Sequence, residues 1–427
     1  MARQSTLVAG GFLVSAMVLG CSSGSDGGPA GTGGTAGTGG TPPASAGSEN
    51  GGGAPLAVHD YAGDDERILY TGRFYLGDPD RPRVSAPGAY MTVRFRGTGI
   101  AVRLGDEFKW GKERNLYDAS IDGEIVGQVA VEHDQERYDV ASGLSNEEHT
   151  LVLAKRTESG MGYGAFLGVE VTGELIDPPE RPERKIIFIG DSITAGAGVE
   201  GTSTSAPECS QDAWGQDGGW GQIVHNGNRT WAGVLGRALD AEYHIEAVSG
   251  IGLVRNWTSV DDTRPMPEVY DLVFLERENS PEWDHAQFQP DAILIMLGAN
   301  DFSPGDNERD PNLDLDEYSA AYIDFVDGLR ERHGDEAHVF CISSPIVNDG
   351  WPSSDDASET NLRTAVNRVA DHYADAGDDR VHAIEIETLF DSGDAPSGRG
   401  CGTHPNLEQH QEMADLLQPV VEAALGW

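Results

Sequence analysis

Positive charge is scarce in this sequence: 29 Lys and Arg stand against 71 Asp and Glu, a formal net charge of −42. Such a chain repels phosphate backbones, and its short basic clusters, such as Arg181-Pro-Glu-Arg-Lys185, are interrupted by acids, so no nucleic-acid partner is expected. Cysteine is also sparse, with 4 in 427 residues. No Cys/His cluster has the spacing of a structural zinc site, and neither a metal nor another cofactor is expected. The N-terminal apolar run, in MARQSTLVAGGFLVSAMVLGC, is too short to read as a spanning helix; with Arg3 before it and Val18-Leu19-Gly20-Cys21 at its end it has the form of an export signal.

What is present is enough for two folded domains: 38% hydrophobic residues and a length beyond the usual single-domain range. Residues 1–21 look like a bacterial lipoprotein signal ending at Cys21, the residue to be lipidated; a secreted protein without lipid is the alternative. Residues 22–55, rich in Gly, Ser, Thr and Pro, are expected to form a flexible tether. An envelope protein is expected, an outer-membrane lipoprotein by preference, with the membrane as partner through its anchor and the folded part a monomer. Three cysteines then remain. Cys341 lies in the apolar run HVFCIS and reads as a buried thiol, leaving Cys209 and Cys401 as candidates to join two loops, although sequence does not fix the pairing.

Residues 56–176 carry short alternating strand patterns, such as Met91-Thr-Val-Arg-Phe95, separated by turn residues, with Asp122-Gly123 as a hairpin signal; they predict a β-sandwich. Phe108, Trp110 and Tyr163 are its only prospective aromatic platform. After a Pro-rich linker, 177–184, residues 185–427 alternate apolar strands with helical segments. Strands are predicted at 186–189, 243–248, 292–297, 338–343 and 381–386, and helices near 229–240, 315–333, 357–376 and 407–424. Near-continuous apolar strands separated by helices predict a mainly parallel five-stranded sheet covered on both faces, an α/β/α domain. Ligands of such sheets gather beyond the carboxyl ends of the strands.

Those ends carry the chemistry. Ser192 follows the first strand, in KIIFIGDSITAG, where it serves either as a helix cap or as a nucleophile. Gly250 follows the second and Asn300 the third, while His404 stands in the loop GRGCGTHPN before the last helix. Acyl transfer needs a hydroxyl, an imidazole to take its proton, and donors for the developing oxyanion. Ser192 and His404 fit the first two roles; the backbone N–H of Ser192, that of Gly250 and the amide of Asn300 fit the third. Asp191 reads as a helix-start residue and Asp301 as an organiser of its loop. Trp214 and Trp220, in a long Gly-rich loop, and Trp351 either pack their loops or present faces to a sugar ring.

The ordered blocks GDSITAG, Gly250, GAND and HPN resemble the SGNH, or GDSL-like, hydrolases, and the text of residues 58 to 425 is similar to the family 2 carbohydrate esterases. That resemblance implies a jelly-roll N-terminal domain, an SGNH hydrolase domain, and removal of acetyl groups from xylan or related polysaccharides by a serine–histidine acyl-enzyme route. A lipase or peptidoglycan-directed esterase of the same fold, or a non-catalytic carbohydrate-binding protein, are the rival readings. One position departs from the commonest pattern: Cys401 stands where many members have an orienting aspartate. The resemblance then implies a Ser192–His404 dyad held by a backbone carbonyl, with Asp391 or Asp394 folding back to His404 as the competing arrangement.

Overall fold

The computed structural model describes residues 56–109, 114–203, 207–209, 222–257, 264–275, 279–303, 313–350, 357–386 and 399–427. The first eight strands are β1 (Val58–Ala62), β2 (Leu69–Thr71), β3 (Arg83–Val84), β4 (Tyr90–Asp106), β5 (Leu116–Ile121), β6 (Glu124–Ala130), β7 (Arg137–Lys155) and β8 (Gly164–Ile176). They pair antiparallel in the order β1-β8-β4-β7-β5-β6, with β2 also on β4 and β3 also on β8. Val93, Phe95, Val102, Leu104, Leu151, Leu153, Val169 and Val171 form its core. Asp122 and Gly123 both take positive φ, 53° and 88°, the paired left-handed turn that joins twisted strands such as β5 and β6 with least strain.

Two strands are longer than their patterns suggest. The alternating runs GAYMTVRFRG and GIAVRLG, divided by glycines, form one strand, β4, whose register shifts between Gly97 and Gly99 instead of ending there. Strand β7 begins at Arg137, well before the apolar HTLVLAK, and most of its first half faces solvent. Only Tyr138 is buried there, with Val140, Ala141 and Leu144 partly covered, so that half shows little hydrophobic alternation.

The second sheet is formed by β9 (Arg184–Gly190), β10 (Ala241–Ala247), β11 (Ala292–Met296), β12 (His338–Ile342) and β13 (Val381–Ile384), all parallel, in the order β10-β9-β11-β12-β13. Between and after them run α1 (Ser192–Ala195), α2 (Trp231–Ala238), α3 (Met266–Val269), α4 (Leu315–His333), α5 (Ser358–Asp375) and α6 (Leu407–Leu425). Because side chains alternate across a strand, Ile187, Ile189, Ile293 and Ile295 pack against Tyr318, Tyr322, Leu362 and Val366 of α4 and α5. Their neighbours Ile186, Phe188, Leu294 and Met296 pack on the other face against Trp231, Leu235, Met413 and Leu417 of α2 and α6. Both faces are apolar, which explains the unbroken hydrophobic runs. The chain leaves β9 for β10 on one side and then crosses to β11 on the other, so the crevice lies at the carboxyl ends of these three strands.

The two sheets meet through buried charges. Arg73 of the antiparallel domain places Nε 2.9 Å from Glu246 Oε1 of β10, both side chains almost fully buried. The alignment does not make a hydrogen bond, so the contact is ionic. Arg156 reaches Asp118 at 2.8 Å and Glu200, while its carbonyl accepts from Gly227 N at 2.8 Å.

Candidate active site

The turn out of β9 distinguishes the two readings of Ser192. Asp191, not Ser192, caps α1: its Oδ1 accepts from Ile193 N at 3.0 Å. The Ser192 hydroxyl is left to meet His404, whose Nε2 lies 2.8 Å from Oγ. Burial raises the Asp191 carboxyl to about 7, with the nearby Asp301 charge adding to the effect.

His404 is held from several sides. Its Nδ1 lies 3.2 Å from Cys401 O, and its backbone N donates to the same carbonyl at 3.1 Å. With Cys401 O as acceptor, Nδ1 carries the proton and Nε2 presents a lone pair to Ser192. Burial pushes the imidazole from its usual 6.5 down to about 4, opposed by the Cys401 contact. Downstream, Asn406 caps α6 and exchanges hydrogen bonds with Gln409, which also accepts from Arg399 N at 2.8 Å, closing the loop at both ends. Cys401 is bonded to Cys209, with Cα atoms 5.2 Å apart, and Cys401 N donates to Gly198 O at 3.1 Å, tying the histidine loop to the segment after the serine. Cys341 is a buried free thiol, pushed up to about 12 by desolvation.

Gly250 and Asn300 flank the serine turn. Val248 N donates to Gly190 O at 3.3 Å, which sets the end of β10 beside the end of β9. Gly250 then takes φ +79°, a conformation that favours glycine. Asn300 is buried, and its Nδ2 donates to Ile251 O at 2.7 Å with Asp191 Oδ2 at 3.5 Å. Asp301 accepts from the backbone N of Leu253, Val254 and Arg255 at 2.8 to 3.0 Å, ordering the loop after Gly250.

Several sequence candidates are elsewhere. Phe108 stacks on His133 with ring centres 3.7 Å apart, and Tyr163 stacks on Phe274 at 5.5 Å, so both rings are engaged in packing. Cys21, Trp110, Trp214, Trp220, Trp351, Asp391 and Asp394 lie outside the described residues. Among the described residues, no group of three or more metal-ligating side chains could hold an ion. One residue beside the site carries no signal of its own in the sequence: Glu158, in KRTESGM of the antiparallel domain, accepts from Ser249 N at 2.7 Å. Only the fold brings it there.

Residues 70–179 match the family model Carbohydrate esterase 2 N-terminal, and residues 188–412 match GDSL-like Lipase/Acylhydrolase family. The chain belongs to the GDSL-like lipase/acylhydrolase family. Cellulase/esterase CelE of Acetivibrio thermocellus is 31% identical over 85% of the chain, which spans 40% of that relative's length. An acetylxylan esterase / glucomannan deacetylase of Cellvibrio japonicus is 24% identical over 87% of the chain and 92% of its own length. A family two carbohydrate esterase from Clostridium thermocellum, solved in complex with cellohexaose, superimposes with a TM-score of 0.72 at 29% identity, covering 84% of this chain and 99% of that one. This member of the GDSL-like family is thus a carbohydrate esterase of the serine type, with an antiparallel domain ahead of the hydrolase domain.

Proposed function

We propose that the enzyme removes acetyl groups from acetylated xylan, glucomannan or a related plant polysaccharide, using a Ser192–His404 dyad. The observation that carries this reading is the 2.8 Å contact between Ser192 Oγ and His404 Nε2, with Cys401 O at the other ring nitrogen. As Oγ attacks the acetyl carbonyl carbon, Nε2 takes the hydroxyl proton; Cys401 O steadies the imidazolium through Nδ1–H. The N–H groups of Ser192 and Gly250 and the Asn300 amide receive the oxyanion. Collapse returns the proton from Nε2 to the departing sugar oxygen and leaves acetyl-Ser192. Water, deprotonated by the same nitrogen, then attacks the acetyl carbon; the bond to Oγ breaks, the proton passes from Nε2 back to Ser192 Oγ, and acetate leaves.

The names of the Cellvibrio relative and the cellohexaose bound to the Clostridium neighbour support a β-linked polysaccharide as the carrier of the ester. Trp214, Trp220 and Trp351 are the proposed ring contacts, and Cys21 the proposed lipid anchor of an exported protein. Acetate released from acetylated xylan and glucomannan should greatly exceed fatty acid released from long-chain esters. The opposite preference would make the enzyme a lipase, and glycan binding without acetate release would make the chain a binding protein.

The carbonyl-held dyad has its own test. A carboxylate at Nδ1 would favour the imidazolium and raise its pKa, whereas a neutral carbonyl leaves burial dominant. The base works only when neutral, so kcat/KM should rise with pH through an inflection near 4 and hold level until the Asp191 carboxyl ionises near 7. Asp391→Asn and Asp394→Asn should each change kcat/KM by less than about tenfold. A loss of about 10⁴-fold in either variant, the scale seen when the orienting aspartate of a serine-protease triad is neutralised, would assign that acid to His404 instead.

A further inference from the structure

The turn that presents Gly250 is held from both domains. Its closing bond, Ile251 N to Val248 O, is long at 3.3 Å, while from the hydrolase domain Trp257 N donates to Gly250 O at 2.7 Å and Asn300 Nδ2 to Ile251 O at 2.7 Å. The Ser249 N–H is engaged from the other domain, where Glu158 stands at the N-cap position of the short turn Ser159–Met161 without capping it. Its carboxylate is directed across the domain boundary, and Oε2 accepts from Ser249 N at 2.7 Å. The residue before Gly250 is therefore pinned by a side chain that is itself buried, 5% exposed.

Glu158 stands on a rigid base. Lys155 Nζ, fully buried, donates to the carbonyls of Ser85, Thr157 and Glu158 at 2.9, 2.6 and 3.4 Å. Arg156 is clamped between Asp118 and Glu200. His225 Nδ1 lies 3.7 Å from the second carboxylate oxygen, and burial pushes that imidazole down to about 4, so the contact joins a neutral ring to an acid and is not a salt bridge.

We propose that Glu158 is a positioning residue that sets the oxyanion turn at Ser249–Gly250, which makes the antiparallel domain part of the catalytic apparatus. The inference rests on Gly250 donating to the oxyanion. A donor misdirected by a fraction of an ångström weakens the transition state more than it weakens substrate binding, so the effect belongs in kcat. Losing a hydrogen bond to a charged group corresponds to a loss of roughly ten- to a hundredfold.

The test uses the full chain with 4-nitrophenyl acetate and acetylated xylan, comparing wild type, Glu158→Gln, Glu158→Asp and Ser192→Ala, each checked by thermal melting. Glu158→Gln keeps an acceptor oxygen at the same reach and should retain kcat within about fivefold; Glu158→Asp withdraws it by one methylene and should lose at least about tenfold in kcat with KM nearly unchanged. Wild-type kcat in Glu158→Asp, a loss confined to KM or to melting temperature, or a folded Glu158→Gln that is at least tenfold slower would each overturn the proposal. Retained turnover in Ser192→Ala would instead overturn the proposed function, so the two failures are distinct.

Discussion

Ser192→Ala is expected to lower kcat for acetate release by roughly 10⁶-fold, the scale found when the nucleophile of a serine hydrolase is removed. The effect is large because the hydroxyl and the imidazole act as one unit. With Oγ gone, Nε2 of His404 has no proton to take from the enzyme, and the Cys401 carbonyl orients a ring with nothing to activate. Residual turnover would come from the oxyanion donors acting on water. Substrate affinity should persist, because the variant deletes a hydroxyl and leaves the backbone of α1 capped by Asp191. The discriminating measurement is therefore paired: acetate release by coupled assay, and binding of an acetylated xylo-oligosaccharide by calorimetry. Turnover within a hundredfold of wild type would remove Ser192 as the nucleophile.

The hydrolase domain was legible because its strands are buried twice. Ile186 to Ile189 read as a strand since neither face meets water, and the same holds for β11 and β12. The antiparallel domain was legible only where one face is buried. The exposed first half of β7 and the edge strand β1 offer little apolar pattern, and the Gly97–Gly99 shift in β4 looks like a break until its partners are seen. At the site, side-chain identity could nominate Ser192, Asn300 and His404, since their chemistry is distinctive. It could not reveal a backbone carbonyl at Nδ1, because every residue carries one. Asp191 was legible as a helix-start residue, but Ser192 beside it is also a good cap, so its two readings stayed open until the turn was seen. Glu158 was hidden for a third reason: 91 residues separate it from Ser249, and only the packing of one domain on the other closes that distance.

Asn300→Ala is expected to lower kcat by about 10²- to 10³-fold with a much smaller change in KM, as when one oxyanion donor is removed from a hydrolase. The amide nitrogen carries two N–H groups. Ile251 O engages it at 2.7 Å, which fixes the side chain, whereas the 3.5 Å separation from Asp191 Oδ2 is at the outer limit of a hydrogen bond and is easily surrendered to a forming oxyanion. The neighbouring carboxyl would oppose that negative charge if fully ionised; burial raises it to about 7, so at neutral pH much of it carries no charge. Truncation also leaves the Ile251 carbonyl without this donor in a buried place, a stability cost of about 1–3 kcal/mol that a lowered melting temperature would report. The two losses separate experimentally. Asn300→Asp preserves shape but replaces the donor with an acceptor, so it should be at least as slow as Asn300→Ala. An aspartate variant that kept kcat within tenfold of wild type would show that the amide serves only to brace the loop, and would pass the oxyanion to the backbone N–H groups of Ser192 and Gly250 alone.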